Sequence, residues 1–259
     1  GSGAAFTCEE TPSCVVTKTT AAGSLTRLAG KVPSSCTHAV GTGSAAGFNN
    51  PVGIALFGTK VFVAEYFGQY VRDVKTADGD AQIYAGTGVA GNLDGPPGTG
   101  TVNNPYGIAV DSAGVLFTAE YGSDCVRKAD LAGTITTIAG TGVPGFSDNV
   151  IGVWAEFDKP YGIAIDANDY VFIVEHATAK IRLLAPNGVV ATVTPTNPLS
   201  TPHGIAVAAN GDVFVADTGN KPSQINMFTC AFTWREGYPP MFACTPEKVH
   251  TPVMAVNVG

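Results

Sequence analysis

The sequence predicts an all-β fold, a β-propeller of five sheets, on three observations. A phrase recurs along the chain as NNPVGIAL (49–56), NNPYGIAV (103–110), DKPYGIAI (158–165) and STPHGIAV (200–207), and with Met254 in place of the glycine as HTPVMAVN (250–257). Its prolines Pro51, Pro105, Pro160, Pro202 and Pro252 lie 54, 55, 42 and 50 residues apart, a period that suits one four-stranded sheet per copy. Between the copies stand short β-branched and aromatic runs bounded by Gly, Asn and Asp, the pattern of antiparallel strands joined by tight turns. Five copies imply five structural units, with six as the alternative count.

Proline cannot donate to a sheet ladder, so it belongs at the first residue of a strand; glycine then marks a crowded backbone, and the apolar run behind it enters the core. A turn such as DSAG (111–114) or ANGD (209–212) leads to a second strand: VFVAE (61–65), LFTAE (116–120), VFIVE (171–175) or VFVAD (213–217). The third strand carries an arginine in YVRDV (70–74), CVRKA (125–129) and KIRLL (180–184). A fourth follows a glycine turn, as in GTITTIAG (133–140). The GTG tails behind it read as turns of positive φ rather than as a phosphate loop, because no GK[ST] follows and no helix begins there.

This register resembles the NHL-repeat family of β-propellers, and the resemblance covers nearly the whole chain. It implies an NHL-type propeller fold and leaves function open, since members serve as lyases, RNA readers and protein-binding modules.

The ends complete the pattern. AFTCEETPSCVVTKT (5–19) aligns without a gap on LFTAEYGSDCVRKAD (116–130), and GSLTRLAG (23–30) matches GTITTIAG (133–140). The N-terminus therefore supplies the second, third and fourth strands of a unit whose first strand, VMAVNV (253–258), comes from the C-terminus. A composite sheet of 252–258 with 4–30 would close the ring and leave no half-finished edge. The expected domain is a single propeller over 4–258, with the other units at 51–88, 105–142, 160–194 and 202–246; the leading GSG (1–3) reads as a cloning remnant. The unit at 202–246 departs most: Asn226 stands at the arginine position, and an aromatic stretch replaces the GTG tail.

With 14 basic against 21 acidic side chains, the net charge of −7 argues against nucleic acid as a partner. No apolar run approaches the roughly 20 residues needed to cross a bilayer, so no membrane insertion is expected. Six cysteines stand at 8, 14, 36, 125, 230 and 244 with no zinc-type spacing, which favours disulfides and an oxidising compartment, secreted or lumenal. Closeness in sequence suggests Cys8–Cys14 and Cys230–Cys244, leaving Cys36–Cys125, with free buried thiols as the alternative. No N-x-[ST] acceptor adds support for secretion.

Two sets of equivalent positions are candidate sites. The acid ending each second strand gives Glu9, Glu65, Glu120, Glu175 and Asp217, a ring that could hold a hard cation such as Ca²⁺ near the axis. The family resemblance implies instead a structural acceptor for the adjacent turn. The second set combines the residue between Pro and Gly of the phrase with the residue after the acid. It gathers Tyr66, Tyr106, Tyr121, Tyr161, His176 and His203, and the resemblance implies one face near the channel mouth. Tyrosine buries area at small entropic cost while keeping a polar tip, which suits recognition of a protein or small ligand.

Enzymatic readings find weaker support. Peptidyl-α-hydroxyglycine amidating lyase, similar in its repeats, holds zinc with three histidines, but the equivalent places here carry Gln69, Asp124 and Ala179. Lactonase-like propellers surround a divalent ion with an acid and asparagines, which Glu65 or Glu175 with Asn49, Asn103 or Asn104 would imitate; Asn beside Pro is also a turn residue. The expectation is thus an extracellular or surface-exposed binding module without a required cofactor. The alternative is a divalent-metal-dependent hydrolase or lyase with its site in the central channel.

Overall fold

A computed structural model describes residues 4–9, 14–31, 36–195, 198–219, 224–233 and 241–250. The first sheet has three strands, β1 (Ala5–Glu9), β2 (Val15–Thr19) and β3 (Leu25–Ala29). The second comprises β5 (Pro51–Phe57), β6 (Lys60–Glu65), β7 (Tyr70–Lys75) and β8 (Asp80–Gly86), with the two-residue β4 (Gly41–Thr42) on its outer edge. The third holds β9 (Pro105–Val110), β10 (Leu116–Glu120), β11 (Cys125–Ala129) and β12 (Ile135–Ala139). The fourth holds β13 (Pro160–Ile165), β14 (Val171–Glu175), β15 (Lys180–Leu184) and β16 (Val190–Pro195). The fifth holds β17 (Pro202–Val207), β18 (Asp212–Asp217), β19 (Gln224–Thr233) and β20 (Met241–His250).

Within each sheet the strands run as antiparallel neighbours in chain order. The four described prolines of the repeated phrase each open an innermost strand, opposite Glu65, Glu120, Glu175 or Asp217. The innermost strands pack in succession, β5 on β9, β9 on β13 and β13 on β17, giving the five-bladed propeller arrangement. One feature breaks the repeat: β20 pairs in parallel with β16, Thr194 opposite Ala243, and fuses the fourth and fifth sheets at their outer edges.

Apolar side chains fill the spaces between sheets, and strand alternation sorts them. In β6, Val61 and Val63 face the first sheet and join Val16, Ala29 and Phe48, while Phe62 and Ala64 face the third and join Ile108 and Leu116. In β14, Val171 and Ile173 pack with Ala119 and Val126 of the third sheet, and Phe172 and Val174 with Val213 and Val215 of the fifth. A period of two with both faces buried explains why these strands read as continuous apolar runs.

The first sheet has three described strands. Its β1 contacts β5 in the way that β6 contacts β9, so it occupies a second-strand place. The proposed first strand at 252–258 lies outside the described residues. Among the described residues no helix is long and apolar enough to cross a membrane.

The cysteine pairing needs correction. Cys14 is bonded to Cys36, which removes both Cys8–Cys14 and Cys36–Cys125. The ladder explains why: Cys8 lies opposite Val16 and Glu9 opposite Val15, so Cys14 falls beyond the end of the pairing rather than across from Cys8. Gly30, next to the connection that carries Cys36, packs closely on the backbone of Cys14 and Val15. Cys125 is a buried free thiol that hydrogen-bonds the Gly140 carbonyl at 3.6 Å. The backbone of the β19–β20 hairpin sets Cys230 directly opposite Cys244.

Candidate functional site

The acids that end the second strands build the site without belonging to it. Their carboxylates receive the backbone N–H groups of the turn before each proline: Asn49 to Glu65 at 3.3 Å, Asn103 to Glu120 at 3.1 Å, Asp158 to Glu175 at 3.1 Å and Thr201 to Asp217 at 2.8 Å. Each turn then accepts a bond from the residue after the acid, Tyr66 N–H to the Asn50 carbonyl at 2.9 Å and His176 N–H to the Lys159 carbonyl at 3.0 Å. The residue after the acid is thereby held beside the residue after the proline.

Close approach of the innermost strands lines these positions up from sheet to sheet. A Cβ on Gly53 would run into the carbonyl of Tyr106, one on Gly107 into that of Tyr161, and one on Gly162 into that of His203. Only glycine permits that spacing. Side-chain links between sheets reinforce it, with Asn104 N–H donating to Gln69 Oε1 at 2.6 Å and Lys159 N–H to Asp124 Oδ1 at 2.9 Å. Gln69, Asp124 and Ala179 occupy left-handed backbone at φ +58°, +52° and +54°, so these three places are turn positions.

All six expected ring residues come together. Tyr106 and Tyr161 lie with centroids 3.5 Å apart, Tyr66 meets Tyr106 at 5.8 Å and Tyr121 at 5.9 Å, and Tyr121 meets Tyr161 at 6.0 Å. The chain of rings continues from Tyr161 to His176 at 5.4 Å and to His203 at 4.8 Å, and the two imidazoles are 4.9 Å apart. Each ring is half-buried. Five of them, Tyr66, Tyr106, Tyr121, Tyr161 and His176, line a depression of about 230 Å³ that Asn50 and Val52 complete. A second space of about 260 Å³ shares Val52 and Tyr106 with it and descends between the innermost strands past Ile54, Ile108, Ile163 and Ile205. The ring cluster therefore stands where the depression meets the space between the innermost strands.

Burial, followed by the neighbouring Tyr121 and Tyr161, raises the Tyr66 phenol above its ordinary value. Burial and then the charge of His203 lower the His176 imidazole. His203 is oriented by its Nδ1, which lies 2.8 Å from the Thr218 hydroxyl and 3.1 Å from the Thr201 carbonyl. Two contributors were not anticipated. Phe67, 62% exposed, packs edge-on to Tyr66 at 4.9 Å, and the Lys159 ammonium lies 5.0 Å over the Tyr121 ring.

The strand-end acids are engaged by arginines and turn amides of their own sheets. Glu65 receives Arg72 at 2.6 Å, Glu175 receives Arg182 at 3.0 Å, and Arg127 stands 3.5 Å from Glu120. With Asp217 bound to its turn, the four described acids are each engaged inside their own sheet, and Glu9 has only its backbone described. Among the described residues, no three His, Cys, Asp or Glu side chains gather as metal ligands. Asn49 and Asn103 act through their backbone N–H groups, and Asn104 Nδ2 binds the Tyr66 carbonyl at 3.0 Å, so the asparagines are turn residues.

Comparisons with known proteins agree with this architecture. The NHL repeat family profile matches residues 199–221. The chloroplastic protein SUPPRESSOR OF QUENCHING 1 of Arabidopsis thaliana is 28% identical over 184 residues, covering 62% of this chain and 17% of that protein. Among solved structures, a protein of unknown function from Bacteroides thetaiotaomicron superposes with a TM-score of 0.67 at 14% identity, over 86% of this chain and 55% of its own. Virginiamycin B lyase from Staphylococcus aureus superposes with a TM-score of 0.57 at 17% identity, over 93% of this chain and 74% of its own. At these identities the structural likeness is one of fold.

Proposed function

We propose that this chain, a β-propeller whose repeats resemble the NHL family, is a binding module that recognises a protein segment or small ligand with its Tyr/His face. The unbroken sequence of six half-buried rings from Tyr66 to His203 carries this reading. Stacked and edge-on rings of this kind contribute about 0.5–1.5 kcal/mol per pair beyond area burial, and they arrive at the partner already ordered. Phenol and imidazole tips add directional hydrogen bonds. The Cys14–Cys36 bond supports an oxidising, secreted or lumenal setting. The net charge of −7 supports partners other than nucleic acid.

The test is selection of random displayed peptides on the immobilised protein, followed by affinity measurements on the double variant Tyr161→Ala with His203→Ala. Selected peptides should lose affinity for the variant while its melting temperature stays close to that of the parent. Equal affinity for both proteins removes the proposed face.

An enzyme working at the channel is a second reading, favoured by the His176–His203 pair. Burial holds His176 below the ordinary imidazole value on the wall of the aromatic depression, and His203 lines the space between the innermost strands beside it, which places a neutral base within reach of both. A divalent-metal form of that reading would need ligands other than the strand-end acids, which are engaged elsewhere.

A further inference from the structure

A larger cavity, about 480 Å³, lies between the third and fourth sheets and shares no residue with the aromatic face. The turns Asp111–Val115 and Asp166–Tyr170 join the ends of the innermost strands to the second strands, so the cavity opens at the opposite end of the sheets from the proline phrase. Its walls include Phe117, Ile138, Val153, Val171 and Leu184. A volume of this size is in the range that holds a small organic molecule, and apolar walls with few polar groups are the usual composition of such sites.

The polar group that sets this cavity apart is Asp169. The equivalent turns close identically: Gly114 N–H bonds the Asp111 carbonyl at 3.2 Å, Gly211 N–H the Ala208 carbonyl at 2.9 Å, and Asp169 N–H the Asp166 carbonyl at 3.1 Å. The left-handed place is filled by Gly114 at φ +88° and Gly211 at φ +88°, but by Asp169 at φ +62°. Aspartate tolerates this backbone better than most residues and worse than glycine, so the turn does not call for it. Its Oδ1 is buried and has no hydrogen-bond partner, whereas Asp166 in the same turn accepts two backbone bonds of 2.9 Å. Asp169 Oδ1 is therefore an acceptor on the cavity wall that no described group satisfies, in a half-buried residue whose backbone is strained.

We propose that this cavity binds a small organic ammonium, an apolar aryl or alkyl body with a protonated amine that donates to Asp169 Oδ1. The charged groups that line it are Asp111, Asp169 and Lys128, a net negative set that favours a cationic end. Asp111 Oδ1 is already held by the N–H groups of Ala113 and Val115 at 2.9 and 2.8 Å, which leaves Asp169 as the acceptor in need of a donor.

The probe is 2-phenylethylamine, with 2-phenylethanol and phenylacetate as neutral and anionic controls, titrated calorimetrically into the whole chain, Asp169→Asn and Asp169→Gly. The amine should bind saturably in the millimolar range or better and the controls more weakly. Both substitutions should weaken the amine by about tenfold or more, the loss that follows removal of a charge-assisted hydrogen bond. Asp169→Gly should at the same time raise the melting temperature, since glycine relieves the left-handed backbone that aspartate strains. Absence of saturable binding, equal binding of amine and alcohol, unchanged affinity in the variants, or a lower melting temperature in Asp169→Gly each overturn the proposal.

Discussion

Arg72 reaches Glu65 at 2.6 Å with both side chains fully buried. The same guanidinium donates to the carbonyls of Gln82 at 2.9 Å, Ala39 at 3.0 Å, Gly47 at 3.1 Å and Ala81 at 3.2 Å, so one charge on β7 fastens β8 and the connection before β5. His38 enters the same network, its Nδ1 3.1 Å from Arg72 and 3.4 Å from Glu65. Charges this deep are tolerated only when their hydrogen-bonding capacity is used.

Arg72→Met should therefore destabilise the protein by about 3–5 kcal/mol, because it strands the Glu65 carboxylate and several carbonyls together. The double variant Glu65→Gln with Arg72→Met should recover part of that loss by removing the stranded charge. Chemical denaturation of the two proteins checks this, and a loss below about 1 kcal/mol for Arg72→Met would contradict the network.

The equivalent pair in the third sheet behaves differently. Arg127 turns to Asp94 at 2.8 Å and stays 3.5 Å from Glu120, whose Oε1 has no partner. Burial accordingly pushes the Glu120 carboxyl up to about 7, against the pull of Arg127. A raised folded-state value means that the folded chain holds a proton the unfolded chain releases. The resulting stability is complete below the ordinary value of 4.5 and disappears as pH rises to about 7. Glu120→Gln should flatten the stability profile across that window relative to the parent. Superimposable slopes for the two proteins would show that Glu120 titrates normally.

The fold was legible because a propeller writes its period into the chain: each proline phrase opens an innermost strand, and Gly53, Gly107 and Gly162 are demanded by the next sheet's backbone. The ring cluster was legible for the same reason, since repeated positions in neighbouring sheets must come together. Phe67 and Lys159 escaped because the equivalents of Phe67 are Gly122 and Ala177, and those of Lys159 are Asn50 and Asn104, so the repeat gave no pattern to follow. Cys36 sits in a connection with no strand signal, and its meeting with Cys14 depends on how that connection folds back. The carboxylates are equivalent in sequence but not in their partners: Glu65 and Glu175 receive the arginine of the next strand at 2.6 and 3.0 Å, Glu120 stays 3.5 Å from Arg127, and Asp217, with Asn226 in place of the arginine, binds its own turn.

The imidazole pair on the aromatic face makes a prediction about titration. Burial and the charge of His203 both disfavour protonated His176, so its midpoint by NMR should fall below 6.5. A depressed folded value gives stability that is present above 6.5 and lost as pH drops through the lower midpoint. His203→Gln should move the His176 midpoint upward by removing the like charge. A midpoint at or above 6.5 in the parent, or no movement in the variant, would contradict the pairing of the two rings.

The Cys14–Cys36 bond closes a loop of sequence separation 22 within the first sheet, the sheet with three described strands. In the chain-entropy account a closure of that length stabilises by about 3 kcal/mol, mostly by restricting the unfolded chain. Cys36→Ser should lower stability by about that amount; in a background carrying Cys230→Ser and Cys244→Ser, reductant should reproduce the loss while Cys36 is present and have no effect once Cys36→Ser is added. Cys125 supplies an internal control. Burial first, and Glu120 next, push its thiol up to about 11, so it should resist alkylation at pH 8 until the chain unfolds. Rapid labelling of Cys125 in the folded protein would mean that the third sheet is looser than its packing indicates. Equal stability of oxidised and reduced parent would mean that the first sheet holds together without its covalent tie.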